Sequence, residues 1–134
     1  MYLLDTNTLI YLFTLRGNVM ARMRATPAHL IKLAAPSLFE LEYGTAKSTR
    51  PDLQRRQINE VIRTHETLPL DYAAAQAAGK LRHALESVGT PIGTVDQLIA
   101  GIALANKLTV VTHNTREFSR VLGLQVEDWY EAAA

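Results

Sequence analysis

The sequence predicts an α/β fold in which a central parallel sheet is covered by helices on both faces. Short apolar segments of strand length alternate with segments of helical periodicity, the order expected of successive βαβ units. The clearest strand, residues 108–112, is apolar and β-branched without alternation, which is typical of a strand buried on both faces. With 134 residues, 48% hydrophobic and 20% charged, the chain can form its own core, and we predict one domain over residues 1–134.

The first half of the chain is predicted to contain two strands and four helices. Apolar runs at residues 2–4 and 30–34 predict the strands. Ser37 and Glu40 have the spacing of a capping box, so the third helix is predicted to begin at Ser37. The four helices comprise residues 9–13, 19–24, 37–46 and 53–62.

The second half is predicted to continue the alternation. Residues 68–70 are a brief strand, and Asp71 caps a helix over residues 72–88 that ends at Gly89. The remaining segments are a helix capped by Thr94, the strand at residues 108–112, a turn at residues 113–115, a weak strand at residues 123–126 and a tail at residues 127–134.

Composition excludes several classes of protein. The chain has no cysteine, which excludes a disulfide framework and a thiolate metal site and suits a reducing cytoplasm, the location we expect. No apolar stretch reaches the roughly 18 residues of a membrane span, and the first residues lack the basic leader of a signal peptide. The net charge of +1 does not by itself require a nucleic-acid partner, although arginine clusters suit phosphate contacts.

Four polar residues mark the predicted edge of the sheet. Asp5 ends the first strand, and Glu40 lies in the helix after the second strand. Asp96 lies in the first turn of an apolar helix, and Asn114 follows the strand after that helix. Because parallel strands with right-handed crossovers bring their carboxyl ends to one rim, we expect Asp5, Glu40 and Asp96 to converge, with Asn114 beside them.

Converging carboxylates imply a cation. They repel one another and are costly to desolvate, so they remain ionised together only if a cation neutralises them. Oxygen ligands without cysteine favour Mg²⁺ or Mn²⁺, and such an ion supports phosphodiester hydrolysis. Glu42 points to nearly the opposite side of the helix from Glu40, so we interpret it as a surface residue.

Each of these residues also has a purely local explanation. Glu40 is also explained as the reciprocal half of the Ser37 capping box, and Asp5 as the N-cap of the first helix. Asp96 is also explained as a residue that complements the helix dipole, and Asn114 as a left-handed turn residue. His113 lies beside Asn114, but a lone loop histidine is more often structural than catalytic.

Four blocks of sequence carry a resemblance to a known family. They are Asp5-Thr6-Asn7, residues 40–44 (ELEYG), residues 89–96 (GTPIGTVD) and residues 112–118 (THNTREF). In this order the blocks resemble PIN-domain ribonucleases and, more narrowly, the VapC toxins of bacterial type II toxin–antitoxin pairs. The resemblance covers essentially the whole chain.

The resemblance implies a Mg²⁺-dependent endoribonuclease, with Mn²⁺ as a substitute ion. It implies a homodimer that is held inactive by a VapB-type antitoxin and that acts on tRNA. Members with the ending NTREF, present here at residues 114–118, cut initiator tRNA in the anticodon stem-loop.

The resemblance also assigns roles to the residues of the four blocks. By motif position Asp5 and Asp96 are the metal ligands, and Glu40 is a third acidic residue that acts on the metal directly or through water. We further expect Thr6, Asn7 and Asn114 to order the water molecules around the ion. Asn114 departs from the wider family, where many members carry aspartate, and Glu117 is left outside the ligand set because it belongs to the next helix.

Several questions stay open at the level of sequence. One alternative is a small phosphatase, because residues 5–8 resemble the DxDxT block of haloacid-dehalogenase-like phosphatases with Asn7 in place of the second aspartate. Another is a PIN-like module that binds RNA or protein without cutting. The arginines expected to follow an RNA backbone are Arg16, Arg82 and the group from Arg50 to Arg56.

Overall fold

A computed structural model of the protein describes residues 1–132 and contains five strands and seven α-helices in that range. The strands are β1 (Tyr2–Leu4), β2 (Ile31–Ala34), β3 (Glu66–Leu68), β4 (Thr109–Val111) and β5 (Val126–Glu127). The helices are α1 (Thr6–Phe13), α2 (Val19–Ala25), α3 (Ala35–Ala46), α4 (Pro51–Thr64), α5 (Tyr72–Ser87), α6 (Thr94–Asn106) and α7 (Thr115–Phe118), with a short 3-10 helix at Ala28–Leu30.

The strands form one parallel sheet in the order β3-β2-β1-β4-β5. β1 is central, and Leu4 at its end pairs with Leu33 of β2 on one side and Val111 of β4 on the other. The chain leaves β1 toward β2 and later returns on the other side as β4. The crevice between the carboxyl ends of β1 and β4 is therefore the switch point at which open parallel sheets bind ligands.

Helices cover both faces of the sheet, as predicted. Leu3 and Val110 point to a core that also contains buried residues of α5, α6 and α7. Leu4 and Val111, their neighbours in sequence, point to a second core with residues from α1 to α4. This alternation across a sheet buried on both faces explains why the strands are continuous apolar runs. No described helix combines the length and apolar character needed to cross a membrane.

Three predictions about the ends of elements are wrong, among them the weak strand at residues 123–126, which the structure places at Val126–Glu127 as β5. β3 is Glu66–Leu68 rather than residues 68–70, because Pro69 lacks the N–H that would continue the ladder and Glu66 pairs with Lys32 of β2 at 3.2 Å. Residues 127–132 are not a mere tail: Glu127 belongs to β5, and Trp129 is only 1% exposed. Burial of this indole surface fixes the segment despite its position late in the chain.

Two predicted helix caps are also wrong. α3 begins at Ala35 with Ala34 as its N-cap, because Pro36 fits the first helical turn. Ser37 therefore lies inside the helix, fully buried, so there is no capping box and Glu40 has no capping role. In α6 the N-cap is Gly93, with extended backbone, and Thr94 is the first helical residue.

α5 packs closely against α6, and Gly101 of α6 lies at their contact. A Cβ atom at Gly101 would lie 2.6 Å from the carbonyl oxygen of Ala74 and 2.7 Å from the Cβ of Ala78. Both neighbours belong to the buried face of α5, so the two helices would have to move apart to accommodate a side chain.

We predict that Gly101→Ala lowers the free energy of unfolding by about 1–3 kcal/mol through overpacking. The matched control is Gly79→Ala in α5, where an added Cβ meets nothing within 4 Å. The control should gain about 1 kcal/mol from helix propensity. Urea unfolding of both variants measures the difference, and equal stabilities would contradict the close approach of the helices.

Candidate active site

A cleft of about 430 Å³ opens at the carboxyl ends of β1 and β4. Its walls include all six residues singled out from the sequence, which are Asp5, Thr6, Asn7, Glu40, Asp96 and Asn114. The other lining residues are Ile10, Tyr43, Gly44 and Lys47. The structure therefore brings together side chains that are separated by up to 109 positions in the sequence.

Asp5 is held by hydrogen bonds of both its backbone and its side chain. Its backbone N–H donates to the carbonyl oxygen of Val111 at 3.1 Å, which extends the pairing of β1 with β4. Its Oδ1 accepts from the backbone N–H of Thr8 at 2.9 Å, so Asp5 does cap α1. The hydroxyl of Thr112, the residue after β4, lies close enough to the carboxylate to lower its pKa. The Asp5 side chain thus caps α1 and lines the cleft at the same time.

The carboxyl group of Asp5 is strongly desolvated. The residue is 3% exposed, and this burial raises its pKa above the ordinary 3.8. Hydrogen bonds from Thr112 and Thr8 oppose the shift, whereas the negative charge of Glu40 adds to it. Ionised Asp5 therefore exists at an electrostatic cost that a cation in the cleft would relieve.

Glu40 faces the cleft from the second turn of α3, and Glu42 faces away. The hydroxyl of Thr6 donates to Oε1 of Glu40, which fixes the orientation of this carboxylate. Glu42 is exposed and receives two hydrogen bonds from the guanidinium of Arg55, at 2.7 Å and 2.5 Å. The interpretation of Glu42 as a surface residue is confirmed.

Asp96 is positioned by the fixed loop before α6. Two side chains bind carbonyl oxygens of that loop: Gln97 donates to Ile92 at 3.0 Å, and Arg120 donates to Pro91 at 3.0 Å. The pKa of Asp96 is raised from the ordinary 3.8 to about 6, chiefly by burial and then by the charges of Asp5, Glu117 and Glu40 in that order of effect. The Asp96 carboxylate therefore does not only complement the dipole of α6, because it also interacts with the other carboxylates of the cleft.

Asn114 connects the end of β4 to a fourth carboxylate. Its backbone N–H donates to the hydroxyl of Thr112 at 2.9 Å, and its side-chain amide donates to Oε2 of Glu117 at 2.8 Å. Its φ of −87° excludes the left-handed turn considered from sequence. Glu117, left outside the site by the sequence analysis, lies near enough to raise the pKa of Asp96. Its position three residues after Asn114, at a helix start, was the available signal.

The donor set of the cleft suits a hard divalent ion. Asp5, Glu40, Asp96 and Asn114 offer oxygen atoms, and no cysteine or histidine lines the walls. Mg²⁺ retains several water molecules, so protein oxygen atoms can hold it without all lying in contact with one another. Within the described residues, a second group of ligand atoms, from His113, Asp128 and Glu131, lies within 4.8 Å of one another.

His113 contacts two of the last described residues, Asp128 and Tyr130. Its Nδ1 lies 3.0 Å from Oδ2 of Asp128, and its ring stacks on Tyr130 with centroids 4.1 Å apart. These contacts tie residues 128–130 to the turn after β4. The geometry fits the structural role that the sequence favoured for this histidine.

Besides Ile10, three lining residues were missed from sequence: Tyr43, Gly44 and Lys47. They follow Glu40 at three, four and seven positions, which places them on one helical face with it, and this periodicity was the signal that would have found them. The arginines expected to follow RNA do not line the cleft.

Comparison with known proteins gives a family match over most of the chain. The sequence profile described as "PIN domain" matches residues 2–124. The tRNA(fMet)-specific endonuclease VapC of Salmonella typhimurium is 37% identical over 131 residues, which cover 96% of this chain and 97% of that protein. The protein of the same name from Shigella flexneri is 38% identical with the same coverage.

Solved structures agree with the sequence comparison. A DNA-bound VapBC complex from Salmonella typhimurium contains a chain with a TM-score of 0.89 and 36% identity, covering 96% of this chain and 97% of that one. A chain of VapBC2 from Rickettsia felis, bound to a promoter DNA fragment, has a TM-score of 0.89 and 29% identity, with coverage of 96% and 98%.

The raised pKa of Asp96 predicts a pH-dependent stability. The ordinary value is 3.8 and the folded value is about 6, so between them the folded state binds more protons than the unfolded state. Wild-type stability should therefore fall as the pH rises from about 4 to about 6.5, and then level off. Allowing for solvent screening at this half-exposed site, we expect this loss to be about 1–2 kcal/mol larger in the wild type than in Asp96→Asn.

Urea unfolding in EDTA at a series of pH values measures this loss. Asp5 and the other titrating groups remain in both proteins, so the difference between wild type and Asp96→Asn reports Asp96 together with its coupling to Asp5. Parallel pH profiles for the two proteins would show that the pKa of Asp96 is not raised on folding.

Proposed function

Because the chain belongs to the PIN domain family and, within it, to the VapC ribonucleases, we propose that it is the toxin of a VapBC-type toxin–antitoxin module and hydrolyses RNA with Mg²⁺ in the cleft described above. The observation that carries this proposal is the gathering of Asp5, Glu40 and Asp96 in one cleft, where two of the three carboxyl groups have raised pKa values. Such crowding of carboxylates destabilises the fold unless a bound cation neutralises their charge.

Asp5 and Asp96 would hold the ion, with Mn²⁺ as a substitute for Mg²⁺. When bound, a divalent ion supplies a water of lowered pKa and neutralises charge on the phosphate undergoing attack. Glu117 supplies a further carboxylate on the Asp96 side, held by the amide of Asn114. We therefore add Glu117 to the acidic residues of the site.

Glu40 is the residue that orients and deprotonates the attacking water. Thr6 donates to its Oε1, which leaves Oε2 as the oxygen that accepts the water proton. Asn7, exposed at the mouth of the cleft, and Asn114 hold the surrounding waters in place. The scissile phosphodiester would lie against these carboxylates. The water oxygen forms a bond to phosphorus as the bond from phosphorus to one ester oxygen breaks, and the departing oxygen takes up a proton to become a hydroxyl group.

The substrate that we propose is tRNA, with the anticodon stem-loop of initiator tRNA as its cleavage site. The two relatives described above are named tRNA(fMet)-specific endonucleases, and their similarity extends over 96% of this chain. A tRNA substrate is consistent with a cytoplasmic location, which we propose as well.

The proposed protein partner is a VapB-type antitoxin. The structural neighbours from Salmonella typhimurium and Rickettsia felis were solved as VapBC complexes. We further propose a homodimer and a single domain over residues 1–134, the latter supported by a family match that spans residues 2–124.

These results bear differently on the two alternative functions that the sequence left open. The PIN domain match leaves the phosphatase hypothesis without support, since residues 5–8 belong to the matched family. A PIN-like module that binds without cutting remains a distinct hypothesis, and a cleavage assay decides between it and the nuclease.

We predict that Asp5→Asn or Asp96→Asn lowers RNA cleavage by about 100-fold or more, because each removes a ligand charge. EDTA should abolish wild-type cleavage, and Mg²⁺ or Mn²⁺ should restore it. The control is Glu42→Gln on the same helix as Glu40, which should retain activity because Glu42 pairs with Arg55 outside the cleft. Full activity in either aspartate variant would exclude this site, and tight RNA binding without turnover would favour the binding module.

We also predict a single cut in initiator tRNA. Primer extension on a purified tRNA pool treated with the antitoxin-free protein should show one stop, in the anticodon stem-loop of initiator tRNA. Adding a VapB-type antitoxin should suppress it. Equal cutting of all tRNAs would contradict the proposed substrate but not the proposed chemistry.

A further inference from the structure

One face of α3 extends the cleft beyond the carboxylates. Tyr43, Gly44 and Lys47 line the same cleft as Glu40 and lie on the same helical face. Seven residues at 1.5 Å per residue separate Glu40 from Lys47 by about 10 Å along the helix axis. A group at Lys47 therefore addresses a part of the substrate next to, and not at, the reacting phosphate.

Lys47 is the one cationic residue among those that line the cleft. Its ammonium lies 4.5 Å from the centroid of the Tyr43 ring. Within residues 1–132 it forms no ion pair, whereas Arg55, Arg63 and Arg82 are each paired with a glutamate. The positive charge of Lys47 is thus oriented by an aromatic ring and is not neutralised by a carboxylate.

Tyr43 presents a large aromatic side chain at the mouth of the cleft. It is 63% exposed, although it lies on the helix that carries Glu40. An exposed ring beside an unneutralised cation is the combination with which proteins hold single-stranded nucleic acid: the cation contacts the backbone, and the ring stacks on a base.

Gly44 has no side chain and so leaves open space in the cleft between Tyr43 and Lys47. An added Cβ would meet nothing within 4 Å, so the space above it belongs to the cleft. An RNA strand that runs from the Glu40 carboxylate toward Lys47 would pass over this position.

We propose that Tyr43 and Lys47 form a nucleotide subsite in which Lys47 binds the phosphate next to the scissile one and Tyr43 stacks on an adjacent base. This inference rests on the proposed ribonuclease function. Because the opposite end of the cleft is acidic, a lone cation here also sets the direction in which a polyanion enters. The subsite contributes to substrate binding and leaves the chemical step to the carboxylates.

The first test compares Lys47→Met with wild type in steady-state cleavage of tRNA in Mg²⁺. Methionine keeps an apolar stem and removes the charge. We expect KM to rise about tenfold with kcat within about twofold, and the slope of log(kcat/KM) against log salt to flatten by about 0.7–0.9. Lys47→Arg should restore KM. An unchanged KM and slope, or a loss confined to kcat, would overturn the proposal.

The matched charge control is Arg63→Met, which changes the net charge by the same amount at an exposed position of α4, where Arg63 pairs with Glu60. Arg63→Met should leave KM and the salt slope at wild-type values. An effect equal to that of Lys47→Met would show that net charge and not a subsite governs binding.

Two further variants test stacking and the path of the strand. Tyr43→Leu should raise KM about tenfold, and Tyr43→Phe should not. Gly44→Leu should raise KM without lowering the melting temperature, while Gly79→Leu in α5 leaves KM unchanged. A change in the solution mass of Tyr43→Leu or Lys47→Met, measured by light scattering, would identify the face as an interface between copies and overturn the proposal.

Binding measurements separate this inference from the function on which it rests. In an Asp96→Asn background, tRNA affinity is measured by filter binding without cleavage. Loss of affinity on adding Lys47→Met supports the subsite even if the wild-type protein proves not to cut. Unchanged affinity, with a wild-type protein that does cut, would refute the subsite and leave the nuclease intact.

Discussion

Desolvation and mutual repulsion of the carboxylates gathered in the cleft are the constraint on which the arrangement of this protein depends. Hydrogen bonding between Asp5 and Val111 joins the ends of β1 and β4, so the Asp5 side chain sits in the switch-point crevice at 3% exposure. Asp96 is brought to the same place by α6, where burial, together with the charges of its neighbours, raises its pKa to about 6. A fold selected for stability alone would separate or neutralise these groups, and their retention indicates a cation-dependent role.

Topology explains why much of the site was predictable from sequence. Once the strands are parallel, the positions of Asp5, Glu40 and Asn114 after strand ends and of Asp96 at a helix start require a shared rim. No knowledge of side-chain contacts is needed for that step. The structure confirms one of the two capping explanations and excludes the other. Asp5 does cap α1, whereas Glu40 has no capping role because α3 starts two residues before Ser37.

The features that sequence did not reveal depend on packing and on the orientation of helices. Trp129 is buried because the second core accepts its ring, which hydrophobic periodicity in a short terminal segment cannot indicate. Glu117 joins the site because the short helix α7 directs it back toward Asn114 and Asp96. Lys47 is seven residues from Glu40, and its relevance appears only when α3 is seen to form a wall of the cleft.

Binding of a divalent ion at the gathered carboxylates is the claim from which chemistry, substrate path and stability all follow. Titration of paramagnetic Mn²⁺ into isotope-labelled protein, followed by amide resonance broadening, tests it directly. We predict that residues 5–7, 40 and 96 broaden first in the wild type, that EDTA reverses the effect, and that Asp5→Asn greatly weakens it. Broadening that begins at Asp128 and Glu131 and is unaffected by Asp5→Asn would contradict the assignment of the metal site to the cleft.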